Sequence, residues 1–186
     1  SRLSPAISVM RNTRSDAGFT LIDVLFTLAL IGTLSTIAMP GMMRARSQAN
    51  TAGAVGTLRV INSGQLSYAI TCGSGFYAPT LPTLGTPAQG TTLAFVPADL
   101  GAANTIIKNN FRVQMTGTPI AASPQSCNGL GAGLGVVGYR AAADSIDATF
   151  PVFFSTNTSG AIWTGAVSLY ATTQEAEGPP AGTLIK

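Results

Sequence analysis

The sequence predicts an α+β chain in which one long N-terminal α-helix carries an antiparallel β-sheet head. Three observations predict it. Residues 24–43, VLFTLALIGTLSTIAMPGMM, contain no charged side chain; residues 44–71 continue in a polar, alanine-rich helical pattern; from Cys72 the composition turns to Gly, Pro, Thr and Ser, with short strand-like runs between turn residues. Of the 186 residues, 46% are hydrophobic and only 9% are charged, against about 25% charged in an average soluble domain. That deficit argues against an ordinary cytoplasmic domain.

The charge and residue inventory excludes whole classes of chemistry. The net +3 is mostly a property of the N-terminal segment, where Arg2, Arg11 and Arg14 face a single acid, Asp16. Histidine is absent, so His-based zinc sites, Ser–His–Asp triads and Cys–His dyads are excluded. Cys72 and Cys127 are too few for a four-cysteine metal site and too far apart for a C-x-x-C redox motif. No catalytic, cofactor-binding or metal-ligating set emerges, and the chain is not expected to be an enzyme.

The first element is the apolar run. Its 20 residues, at about 1.5 Å each, match the roughly 30 Å hydrocarbon layer of a bilayer. A secretory signal peptide has a shorter apolar core, and Thr36 and Ala38 make a poor cleavage site with Pro40 so close behind. Arg11 and Arg14 favour a cytoplasmic N-terminus, against Arg44 and Arg46 downstream, which places the head outside the cytoplasm. Asp23 opens this helix. An acid there either complements the positive end of the helix macrodipole at the headgroup level or pairs with a cation supplied by processing or by a neighbouring subunit.

The string Gly18-Phe19-Thr20-Leu21-Ile22-Asp23-Val24-Leu25, after a short basic leader and before the apolar run, resembles the prepilin processing site of type IV pilins and type II secretion pseudopilins. The family pattern is G-F-T-L-I-E, and Gly32 and Pro40 fall where that family has a glycine and a proline. The resemblance covers about residues 10–46. It implies cleavage between Gly18 and Phe19 by a prepilin peptidase, methylation of the new Phe19 amine, and a helix that is retained as the packed core of a filament. Asp23 takes the place of the family's glutamate, whose carboxylate is thought to meet the amine of an adjacent subunit. Being one methylene shorter, Asp23 also competes for its own Phe19 amine.

On this reading the chain divides into a leader (1–18), a hydrophobic transmembrane and assembly helix (19–43), an amphipathic continuation (44–71) and a β-rich head with a poorly ordered tail (72–186). Gly32, Thr33, Ser35, Thr36 and Pro40 predict a helix break, by kinking or local melting, because Gly costs about 1 and Pro about 3 kcal/mol relative to Ala inside a helix. Nearby hydroxyls re-satisfying the backbone are the alternative. Beyond Arg46, Ala49, Ala52, Val55, Leu58 and Ile61 suggest a narrow stripe packed on a sheet, while Gly53, Gly56 and Gly64 weaken the helix. A helix through both halves exceeds what a domain of this size buries, so its first half is expected to protrude.

In the head, residues 72–90, with Pro79, Pro82 and Pro87, read as an extended loop. Strands are expected at residues 92–96, 111–115, 134–141, 150–155 and 161–170, with Asn157-Thr158-Ser159-Gly160 as a hairpin turn and residues 175–186 as an exposed end. Export of the head to an oxidising compartment favours a Cys72–Cys127 disulfide over free buried thiols. The string Gly133-Leu134-Gly135-Val136-Val137-Gly138 fits G-x-G-x-x-G but continues into a strand and reads as a turn. Asp144 with Asp147, or Glu175 with Glu177, specify no calcium site by spacing. Asn157-Thr158-Ser159 is a glycosylation sequon.

The expected function is therefore structural: a subunit of a type IV pilus-like helical filament of identical copies, held in the inner membrane before assembly and at the cell surface after it. Its expected partners are a prepilin peptidase and an inner-membrane assembly machinery. The alternatives are a type II secretion pseudopilin and a single-pass anchored binding protein. Nucleic acid is not an expected partner, because the head from residue 72 carries Lys108, Arg112, Arg140 and Lys186 against Asp99, Asp144, Asp147, Glu175 and Glu177 and so has no basic excess.

Overall fold

The computed structural model describes residues 19–149 and 151–185. The leader with Gly18, and also Phe150 and Lys186, lie outside the described residues. The fold is α+β: a 51-residue helix α1 (Leu21–Thr71), a short helix α2 (Leu81–Gly85), and strands β1 (Thr105–Lys108), β2 (Phe111–Thr116), β3 (Arg140–Ser145), β4 (Phe153–Asn157), β5 (Ile162–Gly165) and β6 (Thr183–Leu184). The six strands form one antiparallel meander in sequence order. The chain separates into two compact units, with the division between Met43 and Arg44.

Within the second unit, α1 buries Ala54, Thr57, Leu58, Ile61, Gly64, Gln65, Tyr68 and Ala69. This alternation of threes and fours follows the 3.6-residue turn. The stripe expected at strict three-residue spacing drifts by about 60° per step, so Ala49 and Ala52 are exposed and only Leu58 and Ile61 are fully covered. The helix lies on the sheet face that carries Val113, Met115, Ala141, Ala143, Phe154 and Ile162, with which it forms one core cluster. Each fully covered Leu or Ile contributes about 1.5–3 kcal/mol.

Two amides tie helix to head. The side chain of Gln65, 0% exposed, pairs with one residue twice: its Nε2 donates to the Ala78 carbonyl and its Oε1 accepts from the Ala78 N–H, both at 2.8 Å. Asn62 Nδ2 donates to Thr156 Oγ1 at 2.8 Å and to the Gly160 carbonyl at 3.1 Å, while its Oδ1 accepts from Tyr139 at 3.0 Å. Gly64 is required by close approach: a Cβ there would meet the Phe95 carbonyl oxygen and Val96 Cγ1 at 2.8 Å.

The opposite face of the sheet is covered by the segment after β5, through polar contacts. Ser168 Oγ donates to Asp144 Oδ2 at 2.7 Å, Thr173 Oγ1 to Ser155 Oγ at 2.9 Å, and Asn157 Nδ2 to the carbonyls of Gln174 and Glu177. The tail expected to be poorly ordered therefore returns to the head: Pro179 is buried, Gly178 lies against the Trp163 ring, and Thr183 and Leu184 pair with β5.

Other strand expectations are corrected in detail. Residues 92–96 are irregular, since their backbone spans from α2 toward β1 with Phe95 N–H bonded to the Leu84 carbonyl. Residues 134–138 precede the strand that starts at Arg140, and make only isolated bridges from Val136 to Tyr77 and Pro119. The loop expected at 72–90 contains α2, which opens with a proline in its first turn. The Asn157–Gly160 turn is present, with Gly160 at φ +73° and its N–H bonded to the Asn157 carbonyl at 2.9 Å.

Candidate functional site

The apolar first unit begins in a reciprocal cap. Thr20 precedes α1, and its backbone N–H donates to Asp23 Oδ2 at 3.1 Å, its hydroxyl to the same oxygen at 2.5 Å. In return the Asp23 N–H donates to Thr20 Oγ1 at 3.3 Å and to the Thr20 carbonyl at 3.1 Å. This is the capping-box arrangement with aspartate in place of glutamate. The short side chain suits it, because the donors are local. The Thr20 N–H and hydroxyl thus hold the Asp23 carboxylate within one chain, a pairing that the T-x-x-D spacing at a helix start carries.

Beyond the cap, every side chain from Phe19 to Met43 is exposed. The apolar ones cover the helix all round: Leu21 is 80% exposed, Ile22 71% and Ile37 79%. Among the described residues this is the one helix long and apolar enough to cross a membrane, and its most apolar 18-residue window has a mean hydropathy of 2.0 with no part buried. A helix hydrophobic on all sides is stable only when lipid or other apolar helices surround it.

α1 runs through Gly32 and Pro40 without interruption, so the helix is not melted at either position. Side-chain hydroxyls bond back to the helix around them: Thr33 to the Leu30 carbonyl, Ser35 to Ile31 and Thr36 to Thr33, at 2.7–2.9 Å. Polar groups in an apolar helix are then satisfied without leaving it. A Cβ added to Gly32 or Gly41 would meet nothing within 4 Å, so packing inside this chain does not require either glycine.

The head supplies a stapled mount. Cys72 and Cys127 form the expected disulfide, with Cα atoms 4.9 Å apart, one residue past the end of α1. Burial holds the Asp144 carboxyl above its ordinary range, with Ser168 and Arg112 acting against that shift; Lys108 beside Asp99 lowers the Asp99 value. Asp147 accepts from the Thr149 N–H and so closes its own turn. Asn157 is 0% exposed and its amide is spent on two carbonyls, which removes the sequon from reach of a glycosylating enzyme in the folded head. Comparison with protein-family models, curated proteins and solved structures found no match to this chain.

Proposed function

We propose that this chain is a structural subunit of a type IV pilus-like filament, cleaved after Gly18 and polymerised through residues 19–43. The observation that carries the proposal is the apolar helix exposed on every side. Large apolar side chains left in water cost about 1.5–3 kcal/mol each, so the segment needs lipid first and other copies of itself afterwards. The Gly18-Phe19-Thr20-Leu21-Ile22-Asp23 string supports processing that keeps this helix, and the disulfide supports a head that works in an oxidising compartment. In this reading Phe19 becomes the methylated N-terminus, the membrane holds the subunit before assembly, and the head coats the fibre.

The cap at Asp23 fits the same reading. Inside a packed bundle an unpaired carboxylate is costly, and the Thr20 donors lower that cost within one subunit, leaving the second oxygen for a neighbour's amine. Mass spectrometry of the mature chain, together with imaging and sequencing of filaments sheared from cells, tests the proposal. A product starting at methylated Phe19 in long fibres is expected. Recovery only as an intact membrane monomer overturns it, and a product starting beyond Met39 would show that the helix is discarded.

A further inference from the structure

A groove of about 390 Å³ opens on the head between the outer side of α1 and the turn joining β4 to β5, lined by Arg59, Asn62, Leu66, Tyr77 and Tyr139 among others. Its walls are fixed by contacts already satisfied. The Tyr77 N–H donates to the Val136 carbonyl at 2.8 Å and the Tyr77 carbonyl accepts from the Val136 N–H at 3.1 Å. The Tyr77 ring meets Tyr139 edge-on with centroids 5.3 Å apart. Tyr139 is 2% exposed and donates to Asn62, whose amide is committed to Thr156 and Gly160. Tyr139 and Asn62 therefore hold the wall and have nothing left to offer a ligand.

What remains free is specific. Tyr77 is half-buried, and its hydroxyl has no hydrogen-bond partner among the described residues; Arg59 is exposed, with no carboxylate in ion-pair range among them. No charged residue occurs between Arg59 and Asp99, so the chain supplies no acid beside Arg59 in sequence. Ser63 donates to the Val60 carbonyl and keeps its lone pairs for an incoming donor. Leu66, 56% exposed, adds an apolar edge. A pre-fixed aromatic ring beside a lone guanidinium, with the Tyr77 hydroxyl and the Ser63 lone pairs on the same groove, combines an apolar contact, a carboxylate contact and hydrogen bonds to hydroxyls.

We propose that this groove binds the ring of an acidic saccharide, with Arg59 meeting its carboxylate and Tyr77 its apolar ring face. A bare aryl carboxylate fits less well, because it carries no hydroxyl to donate to the Ser63 lone pairs beside Arg59. The volume falls among ordinary small-molecule sites, which run from about 300 to 1,000 Å³.

The test titrates galacturonate into the full chain in mild detergent, read by saturation-transfer NMR and by ligand-induced shifts. Saturable binding is expected, weakened at least tenfold by Arg59→Gln and by Tyr77→Ala and retained by Tyr77→Phe, with galactose binding at least tenfold more weakly than galacturonate. Should Tyr77→Ala fail to fold by circular dichroism, the exposed Arg59→Gln variant carries the test. Absence of saturable binding overturns the proposal. Equal binding of galactose and galacturonate removes the role of Arg59, and benzoate binding in place of galacturonate makes the groove an aryl-anion site and also overturns it.

Discussion

Replacing Gln65 probes how the head holds the helix. In Gln65→Ala the Ala78 N–H and carbonyl both lose their 2.8 Å partners in a site that is closed to water. Each buried backbone group left unpaired costs about 1–3 kcal/mol, and the vacated side-chain volume adds to that. A total loss of about 3–5 kcal/mol is expected, or a Tm lower by about 6–20 °C for a chain of this length. Urea unfolding of the full chain in mild detergent reads it directly, because Trp163 is the only tryptophan and sits on β5. Gln65→Leu is the decisive companion: it refills the space without restoring either bond, so it should recover only the volume part of the loss. If Gln65→Leu proves as stable as the native chain, the paired amide contributes nothing and the reasoning is refuted.

Four further outcomes are expected. Asp23→Ala should leave cleavage after Gly18 intact by mass spectrometry while abolishing incorporation into sheared filaments; filaments in normal abundance would remove its assembly role. Replacing Cys72 and Cys127 by serine should lower stability by about 2–4 kcal/mol, read as a shifted urea midpoint that matches the reduced native protein. Burial raises the folded-state pKa of Asp144 above its unfolded value, so its contribution favours the folded head below the unfolded pKa and is lost as pH rises through the folded one. Asp144→Asn should therefore stabilise the head at pH 7 and lose that advantage toward pH 3, and an unchanged pH profile would contradict this. Gly56→Ala, with open space at its Cβ, should stabilise α1 by up to about 1 kcal/mol, whereas Gly64→Ala should destabilise the head against the Phe95 carbonyl, both read by thermal unfolding.

The parts of the fold legible in the sequence are those with a periodic signature. Phe111, Val113 and Met115 alternate as a half-buried strand must, and β2 is found within one residue of its expected end. The uncharged run and the turn at Asn157–Gly160 are equally plain. β3 was misplaced because Arg140-Ala141-Ala142-Ala143 has no alternation to read; its small side chains are buried on both faces, between α1 and the segment after β5. The signal for β1 lies in the Asn-Asn pair after it: Asn109 and Asn110, at φ 51° and 63°, form the two-residue turn that joins it to β2. Of the candidate site, the motif at Gly18–Asp23 is legible as a resemblance and the T-x-x-D spacing at the helix start is legible as a cap, while the convergence of both Thr20 donors on one Asp23 oxygen is set by geometry alone. The groove beside Tyr77 joins residues up to 101 positions apart and leaves no local pattern.

Every partner of the inner face of α1 lies downstream of it in the chain. The helix is synthesised first, and Leu58, Ile61 and Gln65 then wait for β2, β3 and β4 before any of them is covered. Translation therefore delivers the apolar rod well before the strands that cover the inner face of its second half, and β6 closes on β5 only after both are made. A chain cut before Ile162 would lose β5 and with it the edge that β6 pairs to, leaving the outer edge of β4 open.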